Sequence, residues 1–138
     1  MENKVGIGID IIIQRNNKIL LGKVGEKWKS DEGEWGLPGN DLKFNEKFKD
    51  CIERNLNNEL GLKLIKYKII SVNNNFWLGN HYINIGIVVE TDGEPKLLNK
   101  EDWSEWQWFN KDKLPEKLCP PARIMLKCFL ENKITISE

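Results

Sequence analysis

The chain has 138 residues, a length typical of one domain with room for a hydrophobic core. Its 21 basic and 21 acidic side chains cancel to a net charge of +0, so its overall charge does not indicate nucleic acid as a partner. No apolar run reaches membrane-spanning length, and the N-terminus lacks the pattern of a signal peptide. We therefore predict one domain over residues 1–138, located in the cytoplasm.

The N-terminal residues predict a β-hairpin followed by a loop. Residues 5–13 alternate small and β-branched side chains, and Asn16 and Asn17 separate them from the apolar residues 18–23. Isoleucines on both faces of the first strand predict that it is buried beneath other layers. Residues 24–34 contain glycines, lysines and acids without periodicity, which predicts a loop. This loop either borders a ligand site or is an exposed excursion.

A tight turn and an amphipathic helix form the strongest local pattern of the sequence. Pro38 to Asp41 is typical of a turn, because Pro fixes its φ angle and Gly and Asn tolerate positive φ. We predict a helix over residues 46–60, with Asn45 as its cap and Gly61 as its end. Its apolar side chains recur at helical spacing, at Phe48, Cys51, Ile52, Leu56 and Leu60. The opposite, polar face carries Asn55, Asn58 and Glu59.

The second half of the chain predicts three more strands and a last helix. The predicted strands are residues 64–72, 82–90 and 103–109, with a connection over residues 73–80 and the second strand at the centre of the sheet. Residues 112–116 resemble a short turn. Pro120 and Pro121 then open a predicted helix over residues 122–131, whose inward side chains are Ile124, Met125, Cys128 and Phe129.

The three cysteines of the chain do not form a recognisable site. Cys51, Cys119 and Cys128 are odd in number and lack the paired spacing of a zinc site or a redox motif. We predict that Cys51 is a thiol of the hydrophobic core.

Residues 35–62 resemble the Nudix box of the Nudix hydrolase family, G-x5-E-x7-R-E-U-x-E-E-x-G-U, where U is a bulky aliphatic residue. The matching positions are Glu46, Arg54, Leu56, Glu59, Gly61 and Leu62, preceded by the usual lead-in WGLPG. Three positions depart from the pattern, because Asn40 replaces a glycine, and Asn55 and Asn58 replace two glutamates. The alternative is a surface helix with a polar face, but lead-in, turn and helix agree with one another and favour the motif.

The resemblance implies a fold and a subgroup. The fold is an α/β sandwich in which a mixed sheet lies between helices. Looser landmarks outside the box, such as residues 20–23, 94–96 and 106–109, are similar to a nucleoside-triphosphate pyrophosphatase branch of the family.

The resemblance also implies a reaction and the residues that serve it. In the family, water attacks a phosphorus of a nucleoside diphosphate linked to another group, with the help of Mg²⁺ or Mn²⁺. The positions of Asn55, Asn58 and Glu59 are those at which the family holds metal or activates water. Further metal ligands are expected from the Gly39 carbonyl and from Glu101 or Glu105.

The remaining candidate residues have structural or substrate-binding roles. The resemblance implies that Arg54 holds the Glu46 carboxylate by bidentate hydrogen bonds. Aromatic faces near a nucleotide gain stacking energy, so Trp28, Trp77, Trp103 and Trp106 are candidates for stacking on a base. Most buried tryptophans, however, only fill cores. His81 is the single histidine, and it is a packed strand residue, a catalytic base or a substrate contact.

The two asparagines leave two functions open. They remove two negative charges from a small site that prefers carboxylate oxygens, and Asn55 cannot act as a general base. The first hypothesis is a Nudix hydrolase with a divalent cation, acting on a nucleoside triphosphate or another diphosphate-linked compound. The alternative is a nucleotide-binding protein with little hydrolysis. Under both hypotheses the partner is a small-molecule nucleotide, and no membrane or nucleic acid partner is expected. The oligomeric state is left undecided, with a homodimer as one alternative.

Overall fold

A computed structural model describes residues 3–30, 33–77 and 79–136. Its strands are β1 (Val5–Arg15), β2 (Lys18–Val24), β3 (Trp35–Gly36), β4 (Lys63–Trp77), β5 (Asn80–Asp92) and β6 (Trp103–Asn110). Its helices are α1 (Phe48–Leu60) and α2 (Pro120–Glu131), and a short 3-10 turn covers Glu26–Trp28. In the described residues, no helix is both long and apolar enough to cross a membrane.

The strands form a mixed sheet in which β5 is an interior strand between β1 and β4, rather than the centre that the sequence predicted. The order is β3-β2-β1-β5-β4, and β6 pairs with β2 beside this path. Strands β1 and β5 are parallel, and the other pairs are antiparallel. The predicted β1–β2 hairpin is present, and Asn16 and Asn17 both adopt positive φ, which is typical of a two-residue turn whose twist matches the strands.

Helices α1 and α2 pack on opposite faces of the sheet. Ile9, Ile11 and Ile13 of β1 pack with α1, in a core that includes Cys51. On the other face, Ile12 packs with Met125 of α2. Side chains alternate along a strand, so isoleucine on both faces buries both faces. The predicted fold class, a mixed sheet between helices, is confirmed, and Cys51 lies in the core as expected.

The predicted start of the box helix is wrong. Helix α1 begins at Phe48 rather than at Glu46, and its cap residue is Lys47, which makes no side-chain cap bond. Asn45 instead has a φ of 62° in the preceding turn. The physical reason is that the Glu46 carboxylate accepts hydrogen bonds from the Lys43 backbone N–H and from Arg54, which holds it outside the helix. The predicted end is correct, because Gly61 adopts the left-handed conformation there.

The predicted connection over residues 73–80 is mostly strand. Residues 73–77 continue β4 and pair with the first residues of β5. Asparagines are typical of turns, but Asn73 and Asn75 are buried, and Asn73 Oδ1 accepts the backbone N–H of Ile136 at 2.8 Å. Burial and hydrogen bonding therefore override the local turn preference. Gly79 turns the chain with a φ of 78°, and Leu78 lies outside the described residues.

The last elements match their predictions closely. Strand β6 extends the predicted strand to Asn110. Helix α2 starts at Pro120, two residues before the predicted start, because Pro at the first helical positions needs no N–H partner. Of the four side chains predicted to face inward, Ile124, Met125 and Cys128 are buried and Phe129 is half-buried.

Candidate active site

A cleft of about 290 Å³ lies where the turn at residues 38–41, the end of α1 and the start of α2 meet the sheet. Its lining includes residues of this turn, here called the box turn, of α1, of the sheet and of two connecting segments. From the box turn and α1 come Gly39, Asn40, Asp41 and Glu59, and from the connecting segments Trp28 and Asp102. The sheet contributes Asp10, Asn75, Trp77, Tyr82, Asn84 and Trp103. Its volume is near the lower end of the range for small-molecule sites, roughly 300 to 1,000 Å³.

The box turn is held to β1 by backbone hydrogen bonds on both sides of Gly39. Ile11 donates its backbone N–H to the Pro38 carbonyl at 2.8 Å, and Ile9 donates to the Asn40 carbonyl at 3.0 Å. Gly39 itself has a φ of 142°, and a Cβ there would collide with the Ile9 carbonyl. Only glycine satisfies both conditions, so the sequence places the Gly39 carbonyl at a fixed position beside the cleft.

Arg54 joins α1 to the same turn. Its Nε donates to Glu46 Oε2 at 2.8 Å, and its Nη2 donates to Glu46 Oε1 at 3.0 Å, so the pair is bidentate. Nη2 also donates to the Asp41 carbonyl at 2.9 Å. The Arg54 hydrogen bonds lower the pKa of Glu46 to about 2, with help from the Lys43 backbone N–H. The bidentate geometry implied by the resemblance is therefore present, and it fixes the turn against the helix.

We expect Arg54→Lys to destabilise the fold by about 1 to 3 kcal/mol, because an ammonium cannot reproduce a bidentate pair and a third bond at once. The free energy of unfolding, measured with urea at neutral pH, tests this. Lys127→Arg, an exchange of the same two residue types at an exposed position of α2, is the control and should change that free energy by less than about 0.5 kcal/mol. Equal losses in the two variants would contradict the proposed role of Arg54.

Glu59 is the box carboxylate that faces the cleft. It lies near the C-terminal end of α1, is only 6% exposed, and its Oε2 accepts the indole N–H of Trp103 at 2.9 Å. Burial raises the pKa of Glu59 to about 7. The Trp103 hydrogen bond opposes this rise, and the negative charge of Asp102 adds to it. Trp103 thus orients the carboxylate, a role that sequence reasoning missed because it concerned only base stacking.

The two asparagines of the box lie elsewhere. Of Asn55, Asn58 and Glu59, all within the described residues, only Glu59 lines the cleft. Asn55 is 2% exposed and its Nδ2 donates to the Cys51 carbonyl at 2.8 Å, one helical turn back. Asn58 is exposed. The prediction that these three side chains share one polar surface is therefore wrong. Asn55 and Glu59 are buried beneath neighbouring elements, whereas Asn58 faces outward.

The other predicted site residues divide into two groups. Trp28, Trp77 and Trp103 line the cleft, as does Gly39. His81, Glu101 and Glu105 lie outside this lining, and Trp106 packs beside Trp103 instead. The His81 ring stacks on Phe76 and its Nε2 lies 3.1 Å from Asn74 Oδ1, so it is engaged by strand neighbours. Glu101 and Glu105 are exposed, and Glu105 pairs with Lys23 in the sheet.

Several cleft residues have no counterpart in the sequence prediction. Asp102 accepts the indole N–H of Trp28 at 2.7 Å, which orders the loop over the cleft. Asp10 accepts a hydrogen bond from Asn84 Nδ2 at 2.6 Å, and burial raises the pKa of Asp10 to about 6. The one available signal was Asp10 itself, a lone acid between apolar residues of β1.

The electrostatics of the cleft are one-sided. Among the described residues that line it, the charged side chains are Asp10, Asp41, Glu59 and Asp102, and none is Lys, Arg or His. Such a lining repels a polyphosphate unless a cation lies between them. Burial is the main cause of the raised pKa values of Asp10 and Glu59 in this lining.

The donor set fits a cation that the protein holds only in part. The described residues contain no group of three or more His, Cys, Asp or Glu side chains arranged to hold a metal. Mg²⁺, however, is commonly bound by one or two carboxylates plus substrate phosphates, and it keeps several waters. Glu59 and the Gly39 carbonyl can supply this partial set, and phosphate oxygens of a bound nucleotide can complete it.

Comparisons with known proteins agree with this geometry. The NUDIX domain family model matches residues 4–129. The crystal structure of a MutT NUDIX hydrolase from Burkholderia pseudomallei is 27% identical and has a TM-score of 0.81, over 91% of this chain and 98% of that one. A MutT protein from Methanosarcina mazei Go1 is 21% identical with a TM-score of 0.78, over 96% and 95%. The E. coli ORF135 protein is 22% identical with a TM-score of 0.76, over 94% and 91%.

The family match covers most of the chain, and it includes the turn, the helix and the carboxylate around which the cleft is built. Members of this family generally use divalent cations and act on small nucleotide compounds. The chain belongs to the Nudix family.

Proposed function

We propose that this protein is a Nudix hydrolase that cleaves a nucleoside triphosphate, or another nucleoside-diphosphate-linked compound, with Mg²⁺ or Mn²⁺. Water attacks a phosphorus of the phosphate chain, and a nucleotide is released. The observation that carries the proposal is the cleft itself, in which the box carboxylate Glu59 and three aspartates face a space bordered by tryptophans. Family membership and the fold of MutT proteins support it.

The cation has a defined place in this proposal. When bound, a divalent metal neutralises the phosphate chain and lowers the pKa of its bound water. The carboxylate of Glu59 and the carbonyl of Gly39 would hold it, together with the nucleotide. Because only one carboxylate and one carbonyl are assigned to the cation, we propose that it binds mainly as a complex with the nucleotide.

The chain's own residues position the reactants. Trp103 holds the Glu59 carboxylate by its indole N–H, and the Arg54–Glu46 pair holds the turn that carries Gly39. Trp28 and Trp77 border the cleft and offer aromatic surface to a base. Asp102 ties Trp28 in place. A single domain in the cytoplasm is our proposal for the setting of this reaction.

A substrate panel tests the proposal. We expect purified protein to convert at least one nucleoside triphosphate or diphosphate-linked nucleotide into a nucleoside monophosphate, detected by chromatography, when Mg²⁺ or Mn²⁺ is added. A chelator should stop the reaction, because the acidic cleft then repels the phosphates. Calorimetry should show that Mg²⁺ binds weakly to the protein alone and more tightly with a non-hydrolysable nucleotide.

Two outcomes of this panel would contradict the proposal. Nucleotide binding without product, at any metal concentration, would replace the hydrolase by the nucleotide-binding alternative. Turnover that is unchanged by the chelator would contradict the role of the cation while leaving the fold assignment intact.

A further inference from the structure

The part of the cleft away from the box helix is built on the parallel pair β1–β5. In its register Gly8 lies opposite Asn84, and Asp10 lies opposite Gly86. Since side chains alternate along a strand, these four positions share one face of the sheet. It is the face on which Ile12 packs against α2, whereas Glu59 belongs to the helix on the other face. The Asp10–Asn84 pair is thus a separate polar group within the cleft.

The hydrogen bond between the two side chains leaves the acceptor of Asn84 without a partner. Asn84 Nδ2 donates to Asp10 Oδ2 at 2.6 Å, which orients the amide so that Nδ2, rather than Oδ1, faces the carboxylate. Asn84 is only 7% exposed, and its Oδ1 is buried without a hydrogen-bond partner among the described residues. An unsatisfied buried acceptor costs about 1 to 3 kcal/mol, so a donor from a ligand is the natural partner.

The carboxyl group of Asp10 can also accept further hydrogen bonds. Within the described parts of the chain, the hydrogen bond from Asn84 is the one that its carboxyl group receives, and no Lys or Arg pairs with it. A carboxylate can accept about four hydrogen bonds. The Asp10 carboxylate and Asn84 Oδ1 therefore both have unpaired acceptor positions beside the space between them.

The surroundings leave room for a ligand atom at this point. Gly8 has no side chain, and a Cβ there would lie 3.6 Å from Asn84 Oδ1, in ordinary contact. Trp77 also lines the cleft, and its indole N–H is buried without a partner in the residues described. The cleft thus combines unpaired acceptors, one unpaired donor and a flat aromatic wall, which is the complement of a heterocycle with polar edges.

We infer that Asp10 and Asn84 read the base of the nucleotide and select bases that carry an exocyclic amino group. The two hydrogens of that amino group meet the Asp10 carboxylate and the Asn84 Oδ1. A carbonyl oxygen at the same place would face two acceptors and leave both unpaired, and sites built on such hydrogen bonds discriminate strongly. This inference rests on the proposed function for the identity of the ligand as a nucleotide.

Binding of matched nucleotide pairs tests the inference without requiring hydrolysis. Non-hydrolysable triphosphates of cytosine and uracil, adenine and hypoxanthine, and guanine and hypoxanthine are titrated in the presence of Mg²⁺, with calorimetry as the readout. We expect the amino member of at least one pair to bind about tenfold or more tightly than its partner. The members of each pair share their sugar and phosphates, so those contacts cancel, and the guanine and hypoxanthine pair differs by the amino group alone.

Two variants assign the preference to this pair. Gly8→Ala should fit the free protein and fill the space beside Asn84 Oδ1, and Asp10→Asn replaces the carboxylate by an amide of the same shape. In both variants the ratio of the affinities for the amino member and its partner should fall to within about twofold of one. Asp50→Asn, an exposed position of α1, makes the same charge change away from the cleft and should leave the preference intact. Thermal melts confirm that each variant is folded.

The outcomes separate this inference from the proposed function. Equal affinity within all three pairs, no binding of any analogue, or a preference that survives in Gly8→Ala and Asp10→Asn would overturn the inference. Selective binding that depends on Asp10, without hydrolysis of the natural nucleotides, would support the inference and overturn the hydrolase proposal. Hydrolysis without discrimination would do the reverse.

Discussion

Glu59→Gln is expected to lower turnover by about a hundredfold or more while nucleotide binding persists, and to stabilise the metal-free protein above neutral pH. The loss of turnover follows because the change removes the one box carboxylate that faces the cleft and with it a charge that holds the cation. The gain in stability follows from burial. Gln is close in shape to Glu and its carbonyl oxygen can still accept the Trp103 N–H, but it carries no charge to bury.

The direction of the pH effect follows from the pKa of Glu59, which is raised from 4.5 to about 7. A carboxyl group with a raised pKa contributes fully to stability below about pH 4.5 in its protonated form, and this contribution is lost as pH rises through 7. Glu59→Gln should therefore be about 1 to 3 kcal/mol more stable than wild type near pH 8, and nearly equal to it near pH 4.5. Urea denaturation with a chelator present measures both values.

Glu53→Gln is the matched control, because Glu53 is an exposed residue of the same helix. Its effect on the free energy of unfolding should stay within about 0.5 kcal/mol at either pH. If Glu59→Gln behaved like this control at high pH, Glu59 would not be held in a buried environment in solution. If its turnover matched that of wild type, the cation would lie elsewhere.

Asn55→Glu, which restores a glutamate of the family pattern, is expected to destabilise the metal-free protein by about 2 to 4 kcal/mol. Asn55 is 2% exposed and donates a hydrogen bond to the Cys51 carbonyl. A carboxylate there would lose this donor and would lie one helical turn from Glu59, so two buried negative charges would repel each other. The same two charges should tighten Mg²⁺ binding, and saturating Mg²⁺ should recover much of the lost stability.

The shift of the melting temperature with added Mg²⁺ measures this coupling. It should be larger in Asn55→Glu than in wild type. Asn58→Glu alone is the control, because Asn58 is exposed and the change should alter the metal-free stability by less than about 0.5 kcal/mol. An Asn55→Glu protein that is as stable as wild type in chelator, and insensitive to Mg²⁺, would contradict this prediction.

Much of the fold could be predicted because its signals are local. The hairpin, the box helix and its end at Gly61 depend on spacing and turn residues within short stretches. The errors occurred where distant contacts decide the outcome. Asn73 looked like a turn residue, yet its side chain hydrogen-bonds to the chain near Ile136, and this contact keeps it in a strand. Asn45 was predicted to cap the helix, but the hydrogen bond between Glu46 and Arg54 holds the next residue outside the helix.

The site could be predicted only in part for the same reason. Gly39, Arg54 and Glu59 belong to one motif, so their positions in the sequence already indicate that they lie together. Asp10 and Asn84 are 74 positions apart and meet only through the parallel pairing of β1 and β5. Periodicity does not show such a pairing, and neither residue belongs to the box. The inward burial of Asn55 was likewise invisible, because the helical pattern marks it only as polar.

The most direct test follows the oxygen of the attacking water. Wild-type protein and Glu59→Gln are incubated with a nucleotide from the substrate panel and Mg²⁺ in isotopically labelled water, and the products are analysed by mass spectrometry. We expect wild type to release a nucleoside monophosphate and its partner product, one of which carries a single labelled oxygen. Glu59→Gln should release them at least about a hundredfold more slowly. Equal labelled product from both proteins, or no labelled product from wild type with any nucleotide, would contradict a hydrolase whose chemistry depends on Glu59.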